Sequence, residues 1–461
     1  MKNEKTFWLF ALAFIIWQPV IDVLTSASLL LLNINLTVGV IARVLFMAAI
    51  VLMLLWKARH RGLARKYIIY LIGLAAVIVI NIALNLNVKD PYYIASELKF
   101  FNKVVYFPIM FVGFSMLYLY LKRVHVPFKE KTTTYFLYAS LIISAVFIVS
   151  FITGTSLSNY SHTKIGFTGW FFAGNEIGAI MSIILPITAL YAIERTERMK
   201  EWRYWVPFVL LAISMQFLGT KVGYGGILVV LLAAFFSMLI IYFTKERTEK
   251  IRSNMLISLI LIAVLAVTTP ITPVFHNMFA HLSLLNIELD FGSKEKEFDS
   301  ETGEEIIEEE PEEDITNEQI QNLVFSSREK YLQEMKDQFV EAPMSQKLFG
   351  MGFAGNYEEP EPGKTPRMIE MDFFDLFFSL GIIGFLTMMS LPLYYVIRFL
   401  IHFIRNINQT FTPVNVMYGV AFILGLGISA TAGHVLTAPA VSIYVAAVMA
   451  LLMVREGIIE E

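Results

Sequence analysis

The chain has 461 residues, of which 56% are hydrophobic and only 16% are charged, and its mean hydropathy is +0.62. These values exclude an ordinary soluble domain and indicate an integral membrane protein. The sequence contains no cysteine, which excludes disulfides, thiolate metal sites and cysteine nucleophiles. The formal net charge of −3 is unevenly distributed, because residues 273–370 are strongly acidic and the remainder of the chain is basic.

Apolar stretches long enough to cross a bilayer recur along the sequence. They lie near residues 7–31, 36–56, 67–87, 101–121, 134–153, 170–193, 204–219, 222–243, 254–272, 371–397, 413–432 and 435–454. We therefore predict an all-α, polytopic integral membrane protein with about twelve transmembrane helices.

Strongly basic connections alternate with less basic ones along this series of spans. The basic connections lie at residues 57–66, 122–131, 194–203, 245–252 and 398–405. Because short cytoplasmic loops are rich in Lys and Arg, the alternation predicts that both termini are cytoplasmic. We expect helices one to nine in residues 1–272, an extracytoplasmic loop at residues 273–370, and the last three helices in residues 371–461.

The long loop contains two segments of different character. Residues near 295–320 form an acidic run with little apolar content, which predicts a disordered insertion. Residues near 326–341 follow a serine cap signal and carry apolar side chains at helical spacing, which predicts an amphipathic helix along the outer membrane face. A glycine-rich turn after it returns the chain to the tenth span.

On this topology, the polar residues inside or beside the spans gather at the extracytoplasmic side. They are Asp22, Arg43, Lys89, Glu97, Lys99, Lys103, Asn175, Glu176, Lys221, Asp372, Asp375 and His434. Ionisable groups at membrane depth are costly and are functional-site candidates. The surplus of cations predicts an outward-opening polar cavity for an anionic ligand such as a phosphate or pyrophosphate.

A structural interpretation of the same residues stays open. Arg43 can form a pair with Asp22 that serves only folding, and Lys89, Lys99 and Lys103 can extend to the lipid headgroups. Lys221 lies among glycines that let a ligand approach the backbone closely.

Candidate catalytic groups lie where the long loop meets the tenth span. One of Glu370, Asp372 and Asp375 can accept a proton from an attacking hydroxyl group, or all three can be helix-start residues favoured by the helix dipole. His434 is another candidate base or a structural helix-end histidine. Arg328, in the first turn of the loop helix, either points over the cavity or is an exposed arginine.

Four segments together resemble the O-antigen ligase/polymerase-like family. They are LTVGVIAR at residues 36–43, GWFFAGNEIGAIMSIILPI at 169–187, LGTKVGYGG at 218–226 and, between residues 326 and 386, SSREKY…LFGMGFAGN…DFFDLFFSLGIIGFL. The Gram-positive capsule, exopolysaccharide and teichuronic-acid polymerases of this family look closest, and the resemblance covers roughly residues 7–454.

The resemblance implies a metal-independent glycosyltransferase of the GT-C type that needs no cofactor. In such enzymes the donor is an undecaprenyl-pyrophosphate-linked glycan, arginines bind its pyrophosphate, and an acceptor hydroxyl displaces the lipid carrier. By this resemblance Arg328 corresponds to the family's outer-loop arginine, and Arg43 and Lys221 correspond to basic positions of its cavity. Lys103 joins them as a pyrophosphate ligand, with Asp22, Asn175 and Glu176 in support.

One departure from the family pattern concerns the base. Many members have a His-Asn pair just before the tenth helix, where this chain reads IEMDFFD at residues 369–375. If the histidine is the base in those relatives, Glu370, Asp372 or Asp375 must replace it here, or the base lies elsewhere, with His434 as a candidate.

We therefore predict a polysaccharide polymerase or ligase in the cell membrane of a Gram-positive bacterium, with its active site outside. The expected partners are the lipid-linked oligosaccharide, a glycan acceptor, membrane lipids and other polysaccharide-assembly proteins, without nucleic acid.

The main alternative is a transporter or flippase of such glycans. The sequence shows no clear halves, and its charges lie on one side, whereas transporters generally have internal repeats and midplane sites. A SEDS-type peptidoglycan glycosyltransferase shares the chemistry, but its motifs are not found.

Overall fold

The structure, a computed structural model, describes residues 2–34, 37–59, 62–160, 164–284, 328–356 and 366–460. The predicted acidic insertion near residues 295–320 lies outside these ranges. The helices in chain order are α1 (Lys2–Leu30), α2 (Val38–Ala58), α3 (Leu63–Val88), α4 (Ile94–Arg123), α5 (Phe128–Ile152), α6 (Gly174–Arg195), α7 (Val206–Leu218), α8 (Lys221–Thr244), α9 (Glu249–Thr268), α10 (Pro273–Leu284), α11 (Arg328–Glu341), α12 (Met344–Phe349), α13 (Asp372–Arg405), α14 (Ile407–Thr410), α15 (Pro413–Thr431) and α16 (Pro439–Arg455). Short 3-10 helices at Met199–Trp205 and Thr269–Ile271 adjoin α7 and α9.

Ten helices within the described ranges are long and apolar enough to cross a membrane, namely α1–α6, α8, α9, α13 and α15. The predicted all-α, polytopic fold is therefore confirmed. The two remaining predicted spans are also helical, but α7 has only 13 residues and α16 has 17. A helix of 17 residues is at the lower limit for a bilayer crossing.

The centre of the bundle is formed by the three helices α4, α6 and α16. Residues 106–121, 177–190 and 440–454 of these helices are almost all buried. Their sequences are apolar around the whole helix, and such helices bury every face in a large bundle. The Tyr444 hydroxyl donates to the carbonyl of Ile15 at 3.2 Å, which joins α16 to α1 inside this core.

The start of α1 and the end of α16 lie at the same end of the bundle, where Lys57 of α2 lies over the ring of Tyr120 of α4. Lys57 Nζ pairs with Glu4 Oε1 at 2.5 Å, and Lys122 Nζ donates to the carbonyl of Val454 at 3.3 Å. We call this the terminal end, and we call the opposite end, where α4, α6, α13 and α16 begin, the loop end. The membrane side that each end faces stays a prediction.

The segment after α12 packs against a break in α13. We call residues 349–356 the glycine turn. Gly381 interrupts α13 with a backbone φ of 68°, and a Cβ there would lie 2.3 Å from the amide nitrogen of Gly350. Gly350 has a φ of 94°, and its own Cβ would lie 2.1 Å from the carbonyl of Ser379. Two facing glycines therefore allow the turn to hydrogen-bond inside the broken helix, as the amide of Gly352 does with Ser379 at 3.0 Å.

A buried ion pair fastens the glycine turn to α4. Lys89 Nζ and Glu97 Oε1 are 2.8 Å apart, and their side chains are 2% and 1% exposed. Lys89 also donates to the carbonyls of Met351 and Phe353 at 2.9 and 3.0 Å, and Glu97 accepts the amide of Phe353 at 2.7 Å. The expectation that Lys89 extends to the headgroups is therefore wrong, because its charge is neutralised inside the protein.

A small hairpin lies between α5 and α6 at the loop end. Its strands β1 (Leu157–Ser158) and β2 (Phe167–Gly169) pair antiparallel. The side chain of Asn277 donates to the carbonyls of Ile165 and Gly219 at 2.6 and 2.8 Å. These bonds join the hairpin to the turn between α7 and α8.

Candidate functional site

A cavity of about 520 Å³ opens at the loop end between α1, α2, α4, α6 and the first residues of α16. Its charged lining residues are Asp22, Arg43, Lys99, Lys103 and Glu176. Apolar residues such as Val40, Val44 and Ile180 line other parts of it. The cavity therefore combines a surplus of cations with an apolar wall.

Lys99 and Lys103 reach the cavity from a helix and not from a loop. α4 begins at Ile94, before the predicted start near residue 101, so both lysines lie in its first turns. Both side chains are exposed and line the cavity mouth.

Arg43 is held in place by two side chains of α1. Its Nη2 forms an ion pair with Asp22 Oδ1, and its Nε donates to Gln18 Oε1 at 3.1 Å. The Arg43 and Asp22 side chains are 12% and 16% exposed. α1 and α2 approach closely because residue 39 is glycine, where a Cβ would lie 2.4 Å from the Thr25 hydroxyl. Arg43 therefore forms a structural ion pair and also lines the cavity.

Three residues from separate segments form a cluster beside the cavity, which we call the Arg–Glu–His cluster (Arg328, Glu370 and His434). Arg328 Nη2 donates to Glu370 Oε2 at 3.1 Å, and His434 Nε2 lies 3.6 Å from the same oxygen. Glu370 and His434 both have left-handed backbones, with φ of 65° and 59°. Such strain is concentrated at functional sites.

The residues of this cluster stabilise the charged forms of one another. The imidazole of His434 beside it holds the pKa of Glu370 below its usual 4.5, with the charge of Arg328 acting in the same direction against desolvation. Burial opposes protonation of His434, but the neighbouring carboxylate of Glu370 outweighs it, with help from the charges of Glu176 and Asp372, and raises the pKa of the imidazole above 6.5. Near neutral pH Glu370 is therefore a carboxylate beside the guanidinium group of Arg328, and it favours the protonated form of His434.

Asp372 is a buried anchor. Its two oxygens accept five hydrogen bonds, from the amides of His434 at 3.1 Å, Val435 at 2.8 Å and Leu436 at 2.7 Å and from the hydroxyls of Ser429 at 2.9 Å and Thr437 at 2.5 Å. A carboxylate has about four lone-pair sites, so none is left for a substrate proton. The prediction that Asp372 is the base is therefore not supported, and the residue fixes the segment that carries His434.

Asp375 has a similar structural task. Its carboxylate accepts the amides of Ile369 and Met371 at 2.9 and 3.1 Å, and its side chain is buried. These bonds hold the chain on either side of Glu370. The helix-start interpretation therefore fits Asp375 better than a role as base, which leaves Glu370 and His434 as the candidates.

Glu176 connects the cavity with the cluster. It lies in the first turn of α6 and within electrostatic reach of Arg43, Asp22, Lys103 and His434. Glu176 is thus the residue that lines the cavity and whose charge also interacts with His434 of the cluster.

Arg328 and the four predicted catalytic residues are not among the residues that line this cavity. Two further predicted residues, Asn175 and Lys221, lie outside both the cavity lining and the Arg–Glu–His cluster. Asn175 is exposed in the first turn of α6, next to Glu176, and Lys221 is exposed at the start of α8, where Lys164 is the neighbouring charge. Neither is among the lining residues. The structure therefore separates Lys221 from Arg43, and its binding role stays a prediction.

Sequence reasoning missed Gln18 and Tyr106, which both adjoin Arg43. Tyr106 lines the cavity from within an apolar run of α4. A signal was present, because Lys99, Asn102, Lys103 and Tyr106 follow the spacing of one helix face. Among the described residues, no group of three or more His, Asp or Glu side chains is arranged to hold a metal ion.

The fold and the site define a multi-pass membrane protein with a cation-rich cavity and an adjacent Arg–Glu–His cluster at one end. The family described as O-antigen ligase like membrane protein matches residues 4–458. The chain therefore belongs to the O-antigen ligase like membrane protein family, which confirms the resemblance and assigns it broadly to polysaccharide assembly. A comparison with curated proteins gives no match.

Proposed function

We propose that the protein is a glycosyltransferase that moves a glycan from undecaprenyl pyrophosphate to an acceptor hydroxyl, as a polymerase or ligase of cell-surface polysaccharide. The observation that supports this proposal is the position of Glu176, which lines the cavity and whose charge interacts with His434 of the cluster. Arg43 and Lys103 line the cavity, and Glu176 lies within electrostatic reach of both of them and of His434.

The cavity lining fits a lipid-linked pyrophosphate. Arg43, Lys99 and Lys103 supply positive charge, and guanidinium and ammonium groups are the usual partners of phosphate oxygens. Val40 and Val44 line the cavity and are 39% and 37% exposed. An isoprenoid chain can leave the cavity along this apolar wall toward the membrane.

Glu370 is the proposed base. Its carboxylate is 48% exposed and is oriented by Arg328 and His434. In the proposed step, the acceptor oxygen loses its proton to Glu370 and bonds to the anomeric carbon. The bond from that carbon to the phosphate oxygen breaks, and the electron pair leaves with undecaprenyl pyrophosphate. Carboxylates perform the same task in inverting glycoside hydrolases.

Arg43 and Lys103 would neutralise the charge that develops on the leaving pyrophosphate. Because these cations belong to the chain itself, we propose a metal-independent enzyme of the GT-C type.

We also propose that the loop end faces the extracytoplasmic side, since the basic connections lie at the terminal end and short basic loops stay in the cytoplasm.

The test is a reconstituted transfer assay. The full chain in proteoliposomes is given an undecaprenyl-pyrophosphate oligosaccharide without nucleotide sugar, and glycan length and released undecaprenyl pyrophosphate are measured. We expect longer or transferred glycan with stoichiometric release of the carrier. Arg328→Ala and Arg43→Ala should lose product, whereas Arg405→Ala, at an exposed position at the terminal end of α13, should not.

The main alternative function gives a different result in the same vesicles. A flippase would move the intact lipid-linked glycan between leaflets without releasing carrier. Movement of lipid without any new glycosidic bond would overturn the enzyme proposal. Normal product from both Arg328→Ala and Arg43→Ala would remove these arginines from the site.

A further inference from the structure

The hydroxyl of Tyr106 is an exception among the most buried tyrosines. Five tyrosines within the described residues are less than 2% exposed, namely Tyr67, Tyr106, Tyr118, Tyr418 and Tyr444. Four of these hydroxyls have hydrogen-bond partners, at 3.2 Å for Tyr67, 3.3 Å for Tyr118, 2.9 Å for Tyr418 and 3.2 Å for Tyr444. The Tyr106 hydroxyl has none among the described residues.

An unpaired buried hydroxyl destabilises the fold, and most buried side-chain polar groups are paired. Phenylalanine in place of Tyr106 would keep the ring contacts and avoid that penalty. The side chain of Tyr106 lines the cavity, and its hydroxyl oxygen is covered in the empty protein, so a ligand in the cavity reaches this oxygen through a small movement of the ring or of the cavity wall. The position therefore indicates a binding role and not a folding role.

The surroundings of Tyr106 determine what kind of atom it can meet. It lies on the same face of α4 as Lys99 and Lys103, and deeper along the helix by one turn. Its ring lies within electrostatic reach of Arg43 and Asp22. Arg43, Lys99 and Lys103 have donors only, so a ligand that spans them and Tyr106 must present several acceptors. Phosphate oxygens meet that requirement.

We propose that the Tyr106 hydroxyl donates a hydrogen bond to a phosphate oxygen of the lipid pyrophosphate, at the inner end of the cavity beside Arg43. This assignment rests on the proposed function and adds a specific donor to it. Tyr106 then contributes to affinity for the donor substrate and contributes nothing to the stability of the empty protein.

The experiment compares two Tyr-to-Phe variants of the full chain in detergent. Binding of farnesyl pyrophosphate is measured by calorimetry, with farnesol as the uncharged counterpart, and the thermal midpoint is measured in parallel. Tyr106→Phe should bind farnesyl pyrophosphate about tenfold more weakly, the loss expected for one hydrogen bond to a charged group. Its thermal midpoint should be unchanged or higher, because only an unpaired hydroxyl is removed.

Tyr67→Phe is the matched control. The Tyr67 hydroxyl pairs with that of Tyr395 at 3.2 Å, and neither residue lines the cavity. This variant should have a lower thermal midpoint and unchanged affinity for farnesyl pyrophosphate. The two variants should therefore respond in opposite ways in the two measurements.

Three results would overturn the assignment. Equal affinity of wild type and Tyr106→Phe removes Tyr106 from the phosphate site and leaves the proposed function intact. A thermal midpoint of Tyr106→Phe lowered as much as that of Tyr67→Phe means that the hydroxyl has a structural partner. Wild type that binds farnesyl pyrophosphate no better than farnesol contradicts both the assignment and the proposed pyrophosphate donor.

Discussion

Glu370 and His434 face each other across two chain segments, with 3.6 Å between Oε2 and Nε2 and a left-handed backbone at each residue. A Cβ at residue 433 would lie 2.5 Å from the carbonyl oxygen of Glu370, so glycine at that position permits the two segments to approach. The pair therefore depends on a backbone arrangement that few other residues would allow.

The first prediction concerns this pair. Glu370→Gln should lower the transfer rate by about 10²- to 10⁴-fold, the usual contribution of a general base, while KM for the lipid-linked donor changes little. The measurement is steady-state transfer in proteoliposomes. Glu246→Gln, at an exposed position after α8, is the control and should retain full activity. A rate within threefold of wild type would exclude Glu370 as the base.

The second prediction concerns the pH dependence of stability. Because the folded pKa of His434 is raised above 6.5, protonated His434 stabilises the fold fully below pH 6.5 and loses this effect as pH rises through the raised value. Glu370 has a lowered pKa, so its contribution is present above pH 4.5 and is lost only as pH falls through the lowered value. The facing charges are Arg328, Glu176 and Asp372.

The thermal midpoint of wild type should therefore exceed that of His434→Gln most clearly between pH 5 and 6.5, and the difference should shrink at higher pH. Scanning calorimetry of both proteins across this range measures it. His125→Gln, an exposed histidine after α4, should give no such pH-dependent difference. A difference that grows with rising pH would contradict the ion pair.

The third prediction concerns Asp372. Asp372→Asn removes the charge that receives five hydrogen bonds and turns an amide group toward backbone donors. The free energy of unfolding should fall by about 2–3 kcal/mol, and activity should fall with it because His434 loses its support. Chemical denaturation measures the change, with exposed Asp337→Asn as the control. An active and fully stable Asp372→Asn would show that the segment before α16 has another anchor.

The fourth prediction concerns the glycine turn. Gly381→Ala places a Cβ 2.3 Å from the amide nitrogen of Gly350 at a φ of 68°, so it should lower the free energy of unfolding by more than about 1 kcal/mol. Gly419→Ala is the matched control, because it lies within α15 with nothing within 4 Å of its Cβ. There alanine should stabilise the helix by up to about 1 kcal/mol. Equal thermal midpoints of the two variants would contradict the close contact.

The helical fold and much of the site were predictable because both depend on local patterns. The length of each apolar stretch predicts where a helix crosses the membrane, and the basic connections predict which helix ends lie on the same side. The sequence alone therefore assigns Asp22, Arg43, Lys103 and Glu176 to one end of the bundle. Arg328, Glu370 and His434 were also predicted as candidates. Their meeting required a tertiary contact between the loop and the segment before α16.

The remaining errors concern what a side chain touches. Asp372 and Asp375 have the same sequence context as Glu370, and only the backbone amides that surround them distinguish these two anchors from the more exposed Glu370. Lys89 reads as a membrane-edge lysine, yet its partner Glu97 and its acceptors in the glycine turn bury it. Lys221 shares the loop end with Arg43 but is positioned by the hairpin and the turn before α8. Hydropathy contains no information about such pairings.

The three residues of the Arg–Glu–His cluster are synthesised at different times, because they lie far apart along the chain. Arg328 and Glu370 precede α13, whereas His434 follows α15, and its position is set by a carboxylate at the start of α13. A ribosome-bound chain that has not yet inserted α15 and the segment after it therefore has the carboxylate but lacks the imidazole. On the proposed mechanism, the chain becomes active only after this late segment has been inserted.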